Sequence, residues 1–192
     1  MTGERPPSVR EQILVSGVGG QGVLFVTRLL ADAAIGKGVR VLTSETHGMA
    51  QRGGVVVSHL KVGDFASPLI RAGRADGLIA LKEENLPAHH RILRPGGWAV
   101  ANARAAPGKR FPFPVHAVDA DGIAGGAGNP QGANLVLLGF ALARLERDAF
   151  GPQTFCTAEE MRETIARRFG GGGAFLAVSL EALDLGITRG KR

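Results

Sequence analysis

A short apolar run, Ile13-Leu14-Val15-Ser16, leads directly into Gly17-x-Gly19-x-x-Gly22, and a second apolar stretch follows as far as Gly36. No other feature narrows the fold as far. Strand, glycine turn and helix in that order, followed by the apolar strand Val39-Arg40-Val41-Leu42, make a βαβ unit whose crossover sets the two strands parallel. Within the helix Val23, Leu24, Phe25, Val26, Leu29, Leu30, Ala33, Ala34 and Ile35 leave only Arg28 and Asp32 for a wet edge. That pattern predicts a mostly buried helix, stopped by Gly36 and Gly38.

The rest of the chain extends the unit. Val55 to Val62 reads as a strand, Gly77-Leu78-Ile79-Ala80-Leu81 as a short buried one, and Trp98 to Asn102 as another. Glu83 to Leu93 suggests a weakly patterned helix, ended by Arg94-Pro95-Gly96-Gly97. The proline-bearing residues 103–114 make a loop, and Val115 to Asp119 a last strand. Asn134 to Arg147 carries apolar residues at helical spacing. Thr157-Ala158-Glu159-Glu160 has the form of a capping box opening a helix to about Phe169. After the Gly170–Gly173 run, Ala174 to Leu185 forms a final helix closed by Gly186, with a loose tail from Thr188. The expected fold is α/β: three layers, α/β/α, with a Rossmann-like, mostly parallel sheet. Residues 1–192 form a single domain, with a core over about 11–150 and a C-terminal helical extension over 151–187.

The chain has 192 residues, 44% of them hydrophobic, which suits one domain with a proper core. Its net charge of +6 comes from scattered arginines, without the basic stripe and interleaved aromatics that nucleic-acid binding calls for. One cysteine, Cys156, excludes an internal disulfide and falls short of an iron–sulfur or cysteine-based zinc site. The apolar runs are too short or too charged for a membrane span, and Met1 to Arg10 lacks a signal-peptide pattern. The expectation is a cytoplasmic protein with neither nucleic-acid nor membrane partners.

Two segments could carry chemistry. Gly17, Gly19 and Gly22 fit the dinucleotide fingerprint, in which backbone amides approach an anion at a helix N-terminus. Glu45 lies 23 residues after Gly22, roughly where a ribose-binding acid sits. Gln21 adds an amide that the plain fingerprint does not require. The second segment, Thr43-Ser44-Glu45-Thr46-His47-Gly48-Met49-Ala50-Gln51-Arg52-Gly53-Gly54, reads as a polar loop of directed hydrogen-bonding groups. His47 suits an acid, a base or an anchor, and Arg52 between small residues suits a carboxylate or phosphate. No metal-ligand spacing, phosphate loop with its lysine, or nucleophile elbow is present. His89-His90 reads as surface.

These motifs, with Gly128-Asn129 and Asn134-Leu135-Val136-x-Leu138-Gly139, resemble the gamma-type domain of the 2-oxoacid:ferredoxin oxidoreductases. The likeness is greatest to the indolepyruvate branch, where the domain stands as a separate small chain. It runs from about Ile13 to Leu145 and more loosely to Gly186. Ser179 departs from it, standing before Leu180-Glu181-Ala182 where the family often has Asn.

The resemblance implies part of an enzyme that oxidatively decarboxylates a 2-oxoacid, passes the acyl group to coenzyme A and sends electrons to ferredoxin. Thiamine diphosphate, Mg2+ and the iron–sulfur clusters would sit on a large alpha-type partner subunit, and this chain would bind none of them alone. Gly17, Gly19, Gly20, Gln21 and Gly22 would form the turn at the site edge. Ser44, Glu45, His47, Gln51 and Arg52 would face the partner or ligand, and Asn129 and Asn134 would brace the second side. The implied roles are contact and positioning, with no catalytic or metal-binding residue on this chain. Two other readings of the residues stay open: an independent NAD(P)- or flavin-binding oxidoreductase, and a binding module that keeps the fold without the complex.

Overall fold

The computed structural model describes residues 9–47, 54–105, 111–147, 154–170 and 173–192, with the backbone alone at His47. Six strands, Glu11–Val18 (β1), Val41–His47 (β2), Val55–Val62 (β3), Ala75–Ala80 (β4), Leu93–Asn102 (β5) and Val115–Val118 (β6), form one sheet in the order β2-β3-β1-β4-β5-β6. β1, β4, β5 and β6 pair in parallel, and β3 runs antiparallel to both β1 and β2. The sheet is therefore mostly parallel, as expected. The strands of the βαβ unit are parallel too, yet β3 lies between them. β1 is central and buried on both faces, which is why its sequence runs apolar without alternating.

Ile13, Val15, Leu60, Val62, Ile79, Trp98 and Val100 face one side of the sheet. There they meet the helices Val23–Gly36 (α1), Ala120–Gly126 (α3), Ala133–Arg147 (α4), Ala158–Arg168 (α5) and Ala174–Gly190 (α6). The second side is thinner. Leu14, Leu78, Ala80, Ala99 and Ala101 are covered by the short helix Asn85–His89 (α2), Ile70, and Phe111 with Phe113. α4 is buried over most of its length, between the sheet and α6. The capping box of α5 is formed: Glu160 N donates to Thr157 Oγ1 at 3.1 Å, and Thr157 N to Glu160 Oε2 at 2.8 Å.

Several expectations need correction. Thr43 to His47, read as loop, makes up most of β2, because each residue from Val41 on pairs with β3. The expected helix over 83–93 shrinks to α2 and a 3-10 turn at His90–Ile92. Arg94 to Gly97 belongs to β5, where a bulge lets pairing with β4 resume at Gly77↔Trp98. α3 was not anticipated. It is fixed by Asp119, whose carboxylate accepts from Gly122 N at 2.8 Å. His89 and His90 are half-buried rather than surface residues, and His90 lies edge-on to Phe111 at 5.8 Å. Gly186 does not end α6, and the residues from Thr188 to Gly190 are its last turn rather than a loose tail.

Candidate functional site

In an open α/β sheet, ligands collect beyond the carboxyl ends of the strands, where the strand order turns back. Here that place lies between β1 and β4. The chain leaves β1 towards β2 on one side and later builds β4, β5 and β6 on the other. The glycine loop, Leu81 after β4, Asn102 at the end of β5 and the start of α4 converge there around a crevice of about 240 Å³. Gly20 borders it, and also borders two adjoining grooves. One, of about 450 Å³, runs past Phe25 and Asn129 to Phe175 and Val178, and the other, of about 500 Å³, reaches Arg28, Val56 and Arg168. A larger cavity of about 660 Å³ between Arg104, Asp119 and Arg189 gathers none of the candidate residues, so the glycine-loop crevice is the candidate site.

The loop is held by amides. Gln21 Oε1 accepts from Val18 N at 2.9 Å, and its Nε2 donates to Leu81 O at 3.2 Å. Asn134 Nδ2 donates to Gln21 O at 3.2 Å, tying α4 to the turn. Asn102 Nδ2 reaches the same Leu81 carbonyl at 3.3 Å, and its Oδ1 accepts from Ala120 N at 2.9 Å. Asn129 Nδ2 donates to Val178 O at 3.4 Å and so braces α6. These side-chain amides are engaged in shaping the crevice wall. Asn102, Asp121 and Gln131 line the crevice and were missed from the sequence. For Asn102 a signal existed: an amide closing an apolar strand at its carboxyl end.

Among the described residues lining the crevice, Asp121 is the one ionisable side chain. Such a wall can position a ligand or partner through directed hydrogen bonds, but it offers little for moving protons. Cys156 is fully buried away from it, and burial pushes its thiol up to about 12, far from a reactive thiolate.

The structure sets the strand part of the polar segment apart from the crevice, although its last residue, Gly54, accepts from Gly19 N at 3.1 Å. Ser44 and Glu45 pair with His59 and Ser58 on β3, and the backbone of His47 pairs with Val56. Ser44 is half-buried and Glu45 exposed, and neither lines the crevice. β2 lies two strand spacings, roughly 10 Å, from β1. A dinucleotide site needs its ribose-binding acid at the end of the strand beside the glycine loop, and β3 occupies that place running the other way. Residues 48–53, including Gln51 and Arg52, lie outside the described residues.

The glycines of the loop differ in what they require. Gly22 has φ +81°, and a Cβ there would strike the Asn134 amide, lying 3.3 Å from its Cγ. At Gly17 a Cβ would meet Val23 Cγ2 at 2.8 Å, whereas at Gly19 and Gly20 it would meet nothing within 4 Å. Gly22→Ala should therefore cost about 2 kcal/mol or more, from the left-handed backbone and the displaced amide together. Urea unfolding of the variant checks this, and a loss below ~0.5 kcal/mol would show that the turn relaxes freely.

The family model for pyruvate ferredoxin/flavodoxin oxidoreductases matches residues 12–189. The chain belongs to that family. Two relatives are the indolepyruvate oxidoreductase subunits IorB of Pyrococcus horikoshii and Archaeoglobus fulgidus. The first is 30% identical, over 93% of this chain and 95% of the relative. The second is 44% identical over 50% of this chain, which spans about half (48%) of that relative. A solved 2-oxoglutarate:ferredoxin oxidoreductase from Magnetococcus marinus, with 2-oxoglutarate, coenzyme A and succinyl-CoA bound, shares the fold. Its TM-score is 0.72 at 22% identity, covering 95% of this chain and 31% of that one. Of the motif residues quoted above, Gly20, Gln21 and Asn134 meet at the crevice, and Ser44 to His47 stand on the edge strand.

Proposed function

We propose that this chain is the small subunit of a thiamine-diphosphate-dependent 2-oxoacid:ferredoxin oxidoreductase, acting on indolepyruvate or a related aryl or branched 2-oxoacid. The observation that carries this reading is the match to the Pyrococcus horikoshii subunit, which covers 95% of that relative, so the two small chains correspond nearly end to end. The reaction converts a 2-oxoacid and coenzyme A to an acyl-CoA, CO2 and a proton, with two electrons passed to ferredoxin. Thiamine diphosphate supplies the carbanion chemistry when bound. A chain with one cysteine cannot supply the four thiolates of a cluster, and in this reading the clusters, together with thiamine diphosphate and Mg2+, sit on a larger alpha-type partner. The complex works in the cytoplasm, which the single cysteine suits.

In this reading the chain shapes the substrate and coenzyme A end of the site and is inactive alone. The crevice supports that role: its amides hold a turn whose outer positions, Gly19 and Gly20, are open. Gly17, Gly19, Gly20, Gln21, Gly22, Asn129 and Asn134 form or brace the edge, and Ser44, Glu45, His47, Gln51 and Arg52 contact the partner or ligand.

An anaerobic pull-down of the tagged chain, followed by viologen reduction with a panel of 2-oxoacids and coenzyme A, tests the reading. The expected result is recovery of a large thiamine- and cluster-bearing chain, with activity greatest on aryl 2-oxoacids and none from the small chain alone. Recovery of the chain by itself, binding NAD(P) or a flavin, would overturn it.

A further inference from the structure

Adjacent parallel strands leave a crevice beyond their carboxyl ends where the chain departs from them to opposite faces of the sheet. β1 and β4 do so. α1 follows β1 on the five-helix side, α2 follows β4 on the thin side, and the glycine-loop crevice opens between them. The same divergence recurs at the parallel pair of β5 and β6. After β5 the chain passes to the thin side, where Phe111 and Phe113 pack. After β6 it turns the other way as α3, whose Ala120 and Ala124 join the main core. The last rung between the two strands is Ala103 N to Val118 O at 2.9 Å, and the cavity of about 660 Å³ lies just beyond it.

Val118, Ile123 of α3 and Phe140 of α4 give this second crevice an apolar lining. Arg104 reaches it from the end of β5, and Arg189 from the last turn of α6. The carboxylate beside them, Asp119, is already committed to α3. Its Oδ1 accepts from Gly122 N at 2.8 Å, and its Oδ2 lies 4.0 Å from Arg104 Nε, too far for a hydrogen bond. Among the described residues, Arg189 forms no ion pair. A single arginine at the C-terminus of a helix is accounted for by the helix dipole. That account does not extend to Arg104, nor to the meeting of two guanidinium groups over apolar surface in a crevice that the topology creates.

We propose that the crevice beyond β5 and β6 binds a small organic anion, with Arg104 and Arg189 holding its carboxylate or phosphate group and Val118, Ile123 and Phe140 receiving its apolar body. Guanidinium forks match the oxygens of either head group and stay charged at any working pH. The volume falls within the range of small-molecule sites, roughly 300–1,000 Å³, which are mostly apolar with a few placed polar groups. A bare inorganic ion would leave the apolar lining wet, so the ligand carries a body. The site belongs to this chain and does not depend on the oxidoreductase reading.

The test is calorimetric titration of the full chain at constant ionic strength with phenyl phosphate and with phenylacetate. Inorganic phosphate supplies the charge without the body, and 2-phenylethanol the body without the charge. Saturable binding of an aryl anion is expected, with both partial probes roughly tenfold weaker or more, and the tighter anion identifies the head group. Arg104→Ala and Arg189→Ala change exposed side chains and should each weaken that binding roughly tenfold or more. Arg91→Ala removes an equal charge from the turn before β5, at the far end of that strand, and should leave it unchanged. The site would be overturned by the absence of saturable binding of either aryl anion, by equal binding of either partial probe, or by binding that survives in both Arg104→Ala and Arg189→Ala.

Discussion

Glu11→Gln should remove a fall in stability that the wild-type chain shows between about pH 5 and pH 8. Glu11 opens the central strand and keeps 6% of its surface. One carboxylate oxygen accepts from Phe155 N at 2.7 Å and from Thr154 Oγ1 at 3.4 Å, while Oε1 is buried with no partner among the described residues. Burial, the largest influence, raises its pKa from the ordinary 4.5 to about 7. Asp76 adds to the rise, and the Phe155 and Thr154 hydrogen bonds and Arg94 work against it. An acid whose folded pKa lies above its unfolded value binds more protons when folded. Its stabilising contribution is therefore complete below about pH 4.5 and is lost as pH rises through about 7.

That shift corresponds to roughly 3 kcal/mol by pH 8, or roughly 6–10 °C in the midpoint of a chain this size. Glutamine keeps an acceptor for Phe155 N and carries no charge at any pH. The difference in unfolding free energy between variant and wild type, measured by urea at intervals from pH 5 to 8.5, isolates this group because the other titrations cancel. A constant offset reflects the new amide, and the slope reflects the carboxylate. Parallel curves would mean that Glu11 is ionised in the folded chain throughout.

The sequence carried more of the fold than of the site, and the reason is physical. β1, α1 and α4 are legible because burial over most of their length leaves a nearly continuous apolar signal. The capping box at Thr157 is legible because its two hydrogen bonds are local. What failed depends on partners distant in the chain. Thr43 to His47 looks like a loop because an exposed edge strand needs no apolar alternation, and only its pairing with β3 makes it a strand. That same pairing separates Glu45 from the glycine loop, which no spacing along the chain reveals. Gln21 stands out as unusual in the sequence. Its task of tying Val18 N to Leu81 O, 60 residues away, becomes visible only when β1 and β4 are neighbours. Asp121 and Gln131 reach the crevice through α3 and the turn after it, elements hidden in a glycine-rich stretch.

The misreading of Gly186 leads to the largest expected effect on stability. A glycine near the end of a helical pattern reads as a stop, but this one sits inside α6 where that helix crosses α4. A Cβ on Gly186 would collide with the backbone of α4, striking the Val136 carbonyl and lying 2.8 Å from Phe140 N. Gly139 on α4 faces the Leu183 carbonyl in the same way, and a Cβ at Gly190 would lie 2.8 Å from both Ala143 Cβ and Phe140 O. The two helices thus touch backbone to backbone, and backbone cannot swing aside as a side-chain end can. Opening the crossing would loosen Leu183, now fully buried, and Ile187, and would strip cover from α4.

Two opposing effects decide the outcome. Alanine is favoured over glycine inside a helix by about 1 kcal/mol, whereas overpacking a tight contact costs ~1–3 kcal/mol and more when backbone must move. Gly186→Ala should therefore destabilise despite its better propensity, and Gly186→Val should cost about 4 kcal/mol or more and release α6 to limited proteolysis. Gly125→Ala in α3 is the control, because a Cβ there meets nothing within 4 Å. It should gain a few tenths to ~1 kcal/mol from propensity alone. Urea unfolding of the three variants side by side measures the difference. Equal stability for Gly186→Ala and Gly125→Ala would mean that α6 is not held at this crossing, and that its docking rests on the side chains of Leu183 and Ile187 instead.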